Sequence, residues 1–209
     1  MRARRVRFDG YIAGIGTASG TRIVVGHWPS SPFGPVSDVM VETAVGHRLL
    51  LAATAQLADF VADTYRFDEV RVGPVGVSAG RGGWRVTAGS LDVAFSLGAR
   101  GALGRVLRAV PQRLAGQPAW ISLVDLPARV ALRGVRTRGS AGGGRREWYG
   151  ARDLWPITSA AATLDGTDLG ALADVAPPVR FGFGSVPPRP ALVRVTTIVE
   201  VPNGVDSTR

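Results

Sequence analysis

The feature that most constrains this chain is how its apolar residues are grouped, in short runs dense in valine, isoleucine and leucine that clusters of glycine, proline and serine cut off. Between residues 4 and 98 such runs fall at 21–25, 36–42, 48–51, 69–72, 84–87 and 91–97, and the grouping predicts strands. One helix interrupts them. Thr54 is placed to cap it, and Leu57, Phe60, Val61 and Thr64 or Tyr65 recur at helical spacing while Asp59 and Asp63 point away, so its stripe is expected to lie on the sheet. A second helical pattern runs over 100–116, with Leu103, Val106, Leu107, Val110 and Leu114 on one face, and Pro111 should bend or end it early. The run 118–126 reads as a short helix opened by Pro118 or as a buried strand. From Arg133 to Trp155 a Gly/Arg hairpin or loop is expected, after which strand patterns return at 157–164, 179–183 and 191–201.

The order is β-rich, helical, β-rich, without the regular alternation of a doubly wound sheet. The fold expected is mainly β (α+β): an antiparallel, strongly curved sheet or β-barrel with two to four short helices packed on it. At 209 residues the chain is read as a single domain, β-rich over 4–98, basic and helical over 100–132, β-rich over 133–202, with a tail at 203–209. There is no cysteine, so disulfides, thiolate metal sites and cysteine nucleophiles are excluded, which fits a reducing compartment. The basic start at Arg2–Arg7 is followed by Asp9 and glycines instead of an apolar signal core, and no run approaches the length of a membrane span. A soluble cytoplasmic protein is the expectation.

All 25 cations are arginine, and no lysine occurs. Schiff-base lysines and the lysine of a phosphate loop are therefore excluded whatever the fold. The formal charge of +9 is localised: residues 100–152 alone carry +9, and the rest of the chain sums to zero. Exclusive arginine with abundant alanine, glycine and valine also fits a GC-rich genome, so the pI of 11.4 is weak evidence of a nucleic-acid partner.

Several stretches carry chemistry on paper, each with a plainer reading. Gly14-Ile-Gly16-Thr-Ala-Ser-Gly20 looks like a dinucleotide loop, but a strand follows it where a helix is required, and a glycine-rich hairpin fits better. Gly76-Val-Ser78-Ala-Gly80 matches the nucleophile-elbow pattern, yet both histidines precede Ser78 and a strand pattern follows, so it reads as a β-turn. His27 and His47 with Asp38 or Glu42 would make a two-histidine, one-carboxylate set, but the spacing is no recognised ligand signature, and no metal or other cofactor is expected. In His27-Trp-Pro-Ser-Ser-Pro-Phe-Gly-Pro35 three prolines stiffen a loop that offers Trp28 and Phe33, which suits the mouth of a ligand site or a plug on the core. The densest polar-aromatic stretch runs from Arg133 to Trp155. There Arg133, Arg136, Arg138, Arg145 and Arg146 are candidate anion contacts, and Trp148, Tyr149, Arg152 and Trp155 candidate ligand contacts, against the alternative of a solvated hairpin tip anchored by its aromatics.

The segments Val110-Pro-Gln-Arg-Leu-Ala-Gly-Gln-Pro118, Trp148-Tyr-Gly-Ala-Arg-Asp-Leu154 and Leu169-Gly-Ala-Leu172 together resemble the C-terminal half of acetoacetate decarboxylase-like proteins, over about a third of the chain. The resemblance implies a β-rich barrel around a small acidic ligand, with a lysine forming a Schiff base. This chain has no lysine, so that activity does not carry over. The first functional expectation is thus a β-barrel-like protein that binds a small organic molecule, apolar or anionic, near the Trp28–Phe33 loop, with Arg152 meeting an anion. A second is a basic surface module for anionic lipid or nucleic acid through residues 100–152. A third is an enzyme pairing His27 or His47 with a carboxylate. No residue is assigned a catalytic role, binding is favoured over catalysis, and an edge strand would be the natural surface for a homodimer.

Overall fold

The structure is a computed structural model, described here over residues 4–110, 138–140, 142–182 and 186–202. The expected helix or strand at 118–126 lies outside these residues. The strands are β1 (Arg4–Thr17), β2 (Arg22–Ser30), β3 (Val36–Glu42), β4 (Arg48–Ala52), β5 (Glu69–Val72), β6 (Val75–Ala79), β7 (Gly83–Ala88), β8 (Leu91–Leu97), β9 (Arg138–Ser140), β10 (Arg146–Leu164), β11 (Thr167–Asp168), β12 (Leu172–Ala173) and β13 (Ala191–Val201). Two α-helices are described, α1 (Ala55–Thr64) and α2 (Ala102–Ala109).

The strands form one path, β5-β4-β3-β2-β1-β13-β10-β8-β7-β6, which ends at β5 and β6 and does not close on itself. Mainly β, with a curved sheet and few helices, is therefore correct, and among the two forms expected it is the open sheet. Pairing is antiparallel except between β4 and β5, which run parallel because α1 carries the chain from one to the other. β13, the last strand, lies between β1 and β10 and ties the two β-rich halves together.

The Gly/Arg hairpin or loop expected from Arg133 to Trp155 is in part a hairpin, β9 pairing antiparallel with the start of β10 so that Arg138 stands opposite Trp148, but its second strand runs on far past the expected end. The 19 residues of β10 pair first with β13 over Arg146–Pro156 and then with β8 over Ile157–Leu164, so one strand serves both halves. Glycine and arginine hide this strand from a composition reading because its register is fixed by neighbours remote in sequence. Two further corrections concern smaller segments. Residues 75–79 form the edge strand β6, with Ser78 opposite Arg85, instead of a turn. Val179 and Phe181 are buried without joining a strand.

α1 begins as expected: the Thr54 side chain accepts from the Leu57 N–H at 3.2 Å, and Leu57, Ala58 and Val61 are buried on the sheet. α2 ends before Pro111, also as expected, but it buries only Gly104, and Val106 is 63% exposed, so its stripe is not a core face. Alternation along the strands makes two cores. One face of β1–β4, through Ile15, Ile23, Val39 and Leu51, packs against Val86, Val93 and Phe95 of β7 and β8. The opposite face, through Phe8, Trp28, Leu50, Val195 and Val199, packs under α1.

Candidate functional site

A cavity of about 80 Å³ lies on the α1 side of the sheet, room for about five to eight water-sized positions. Phe8, Ile12, Val24, Met40, Leu57, Val61 and Val199 supply apolar walls, and Val179, Phe181 and Val186 close it from the irregular segment. Into this apolar space point Asp38, Tyr65, Glu147, Tyr149 and Thr197.

Asp38 is on the same face of β3 as Met40, buried, with Trp28 Nε1 donating to its Oδ1 at 2.9 Å. Gly26 makes room for that bond: a Cβ there would sit 2.6 Å from Asp38 Oδ1 and 2.7 Å from Trp28 Nε1. Burial pushes the Asp38 carboxyl up to about 7, against the lowering effect of the Trp28 bond. Glu147, on β10, is likewise pushed up by burial to about 7, opposed by hydrogen bonds from Tyr65 and Tyr149 and by the charge of Arg145. The Tyr65 hydroxyl donates to both Glu147 oxygens at 2.9 Å and shares a short hydrogen bond with the Tyr149 hydroxyl. Burial first, and then the Glu147 charge, raise the Tyr65 phenol well above its usual value, which keeps it a donor.

Thr197 stands directly opposite Tyr149 in the β10–β13 register, and its buried Oγ1 has no hydrogen-bond partner. A buried hydroxyl without a partner costs stability, so such groups are few in folded proteins.

Arg145 fixes the wall instead of lining the cavity. Its guanidinium donates to Phe60 O at 2.7 Å, Thr64 Oγ1 at 2.6 Å and Asp63 Oδ2 at 3.0 Å, and lies 4.8 Å from the Phe60 ring, so it ties the end of α1 to β10.

Two of the ligand contacts expected from the sequence, Trp28 and Tyr149, line this cavity, as does Asp38 of the two-histidine set. Phe33 packs on Phe8 and Phe60 with ring centres 6.1 and 5.4 Å away and covers the end of the core. His27 faces the other core, bonded to Ser37 Oγ at 2.9 Å and beside Trp84, and burial lowers its basicity. His47 is on the surface with Glu69, 3.1 Å away, so the two histidines have separate partners. Among the described residues no group of three His, Cys, Asp or Glu side chains is placed to hold a metal ion. Trp148 is buried on the opposite face with Ile198, the Arg5 guanidinium 5.6 Å from its ring. Arg146 is exposed, Arg138 opens β9, and Arg133 and Arg136 lie outside the described residues.

Arg152 and Trp155 belong to a second pocket, of about 440 Å³, on the opposite face from Thr197 and Phe8. Arg100, Arg108, Arg152 and Arg194 line it with Tyr11, Asp153 and Trp155. Arg100 stacks 4.8 Å from Trp155 and makes two bonds to Asp153, at 2.7 and 2.9 Å. Arg152 reaches Asp9 and Thr196, each at 3.3 Å, and burial followed by the nearby charge of Arg194 lowers its basicity. Neither Arg108 nor Arg194 has an ion-pair partner among the described residues.

Sequence reasoning missed Tyr65, Glu147 and Thr197 as members of the cavity and placed Asp38 only in a metal set. The signal for Asp38 was present: Val36, Asp38, Met40 and Glu42 alternate onto one face of an apolar strand, which puts two acids among core residues.

No model of a known protein family matches the chain, and no curated protein matches it. Among solved structures it is similar to the crystal structure of acetoacetate decarboxylase from Legionella pneumophila, at 10% identity, covering 95% of this chain and 86% of that chain, with a TM-score of 0.42. This is the family that the sequence resembles. A likeness of that size transfers neither residue nor reaction. No helix among the described residues is long and apolar enough to cross a membrane.

Proposed function

We propose that the chain binds a small, largely apolar organic molecule in the cavity beneath α1. The observation that carries this reading is the unpartnered Oγ1 of Thr197, buried at the wall of an apolar cavity that also holds the Tyr65–Glu147–Tyr149 cluster. An apolar pocket with a few convergent polar groups is the usual form of a small-molecule site, the walls giving affinity and the polar groups orientation. The ligand expected is small, because the cavity holds about 80 Å³. Thermal unfolding in the presence of short-chain alcohols, ketones, amines and acids tests the reading. Stabilisation by at least one class, weakened in Thr197→Val, is expected. No stabilisation by any class would contradict it.

A second reading is favoured by the other pocket, where Arg108 and Arg194 face a shared space without ion-pair partners among the described residues. There a carboxylate or phosphate group would be held between guanidinium forks. Binding to a polyanion that weakens steeply with added salt in wild type, and is lost in Arg108→Ala with Arg194→Ala, is the expected result. A flat salt response would remove this reading.

A further inference from the structure

The cavity beneath α1 says something about the charge of what it accepts, and this step rests on the binding reading above. Among the described residues every ionisable side chain that lines it is an acid: Asp38, Glu147, Tyr65 and Tyr149. No arginine or histidine among the described residues lines it, in a chain with 25 arginines. Arg145, whose charge favours the ionised form of Glu147, is directed away, to the end of α1 and Asp63. Five aromatic rings also line the space, Phe8, Trp28, Tyr65, Tyr149 and Phe181. Aromatic faces are electron-rich and attract cations, and walls of this kind are a known way to hold organic ammonium groups. At the Glu147 end, the Thr197 hydroxyl is a buried acceptor without a partner.

We infer that the cavity takes a small protonated amine, with its ammonium beside Glu147 and Thr197 and its alkyl body among Leu57, Val61 and Val199. An ammonium has three donors and no acceptor. The Glu147 carboxylate, the Thr197 hydroxyl and the phenol oxygens form a matching set of acceptors at one end of an apolar chamber. Among the described lining residues an anionic ligand finds no cation and would stand against two carboxyl groups. Beside a neutral ligand Glu147 gains no ion pair, and burial continues to favour its protonated form.

The pairing has a proton consequence. The groups facing Glu147 are Tyr65 from the end of α1, Tyr149 on its own strand, and Arg145 behind it; Asp38 is faced by Trp28. With both carboxyls near 7, part of the population carries a proton at neutral pH that an incoming ammonium must displace from Glu147. Binding should therefore release up to one proton and strengthen as pH rises.

The test compares n-butylamine, n-butanol and butyrate, which share a length and differ in charge, by calorimetry with wild type, Glu147→Gln and Thr197→Val. The amine should bind at least tenfold more tightly than the alcohol at pH 8, and butyrate should not bind. Amine affinity should rise about tenfold from pH 6 to pH 8, with proton release seen as a dependence of the heat on the buffer. Glu147→Gln should lose that pH dependence and at least tenfold in amine affinity while keeping its affinity for butanol, which shows that the cavity is intact. Thr197→Val should lose about fivefold for the amine. The inference is overturned if butanol or butyrate binds wild type as tightly as the amine, or if Glu147→Gln binds the amine unchanged. Binding of none of the three overturns the inference and the binding reading together, whereas binding of butanol alone overturns only the inference.

Discussion

Two buried acids lie four residues apart on the same face of β3 and are treated in opposite ways. Glu42 is fully buried, yet Arg22 Nη2 lies 2.8 Å from its Oε1, and Arg180 donates to it from Nε at 2.9 Å and from the backbone N–H at 2.7 Å. Asp38 is as deeply buried and has only the neutral donor Trp28 Nε1. Glu42 is a structural acid whose charge is compensated, tying β2 and β3 to the irregular segment at Arg180. Asp38 and Glu147 face a cavity with no ion-pair partner among the described residues, their neighbours being neutral donors, and acids whose titration burial shifts towards neutrality are candidates for sites that bind or react. Arg145, whose charge reaches Glu147, makes its direct ion pair with Asp63 instead.

The largest effect that would separate the two regions is expected from Glu42→Gln. It leaves the Arg22 guanidinium buried without its counter-ion and should cost about 3–5 kcal/mol in urea unfolding. Asp38→Asn keeps an acceptor for Trp28 and should cost far less at neutral pH. If the two substitutions cost the same, the contrast between them is broken.

Next in size is the pH dependence of stability. The folded carboxyls of Asp38 and Glu147 titrate near 7, above their unfolded values, so the folded state holds protons that the unfolded chain has already released. Their contribution is fully present below about pH 4 and is lost as pH rises through 7. Each should therefore remove about 3–4 kcal/mol of stability between pH 4 and pH 8. Unfolding curves of Asp38→Asn and Glu147→Gln at the two pH values should show that much less decline than wild type. A wild-type protein whose stability is flat across this window would mean that neither acid is held neutral.

Thr197→Val should stabilise the free protein by about 1 kcal/mol, because it replaces an unpartnered buried hydroxyl with a methyl group of the same shape. A loss of stability instead would mean that Oγ1 is satisfied in solution. The smallest effect is expected in the arginine-lined pocket. Arg108 is exposed and has no partner among the described residues, so Arg108→Ala should change stability by less than about 0.5 kcal/mol.

Much of the fold was legible because it is written in local patterns. The strands β2, β3, β4, β5, β7, β8 and β13, the Thr54 cap of α1 and the end of α2 before Pro111 all follow from β-branched runs, cap chemistry and proline sterics. The length of β10 and the parallel β4–β5 pair were not legible, since both depend on partners far along the chain. The site was legible in part. Trp28 and Tyr149 stood out as large aromatics, but the cavity comes from residues on α1, β1, β2, β3, β10 and β13 that meet only in three dimensions. The charge count pointed away from it: the +9 segment attracts attention to residues 100–152, while one of that segment's two acids, Glu147, lines the cavity.

The central claim, that the space beneath α1 is a ligand site, is tested most directly by methyl NMR of the wild-type protein titrated with n-butanol. The methyl signals of Val24, Leu57, Val61 and Val199 should shift and saturate, while those of Val86, Leu91 and Val93 in the core on the other side of the sheet stay in place. Unmoved cavity methyls at the highest attainable concentration, or shifts centred on Val86 and Val93, would contradict it.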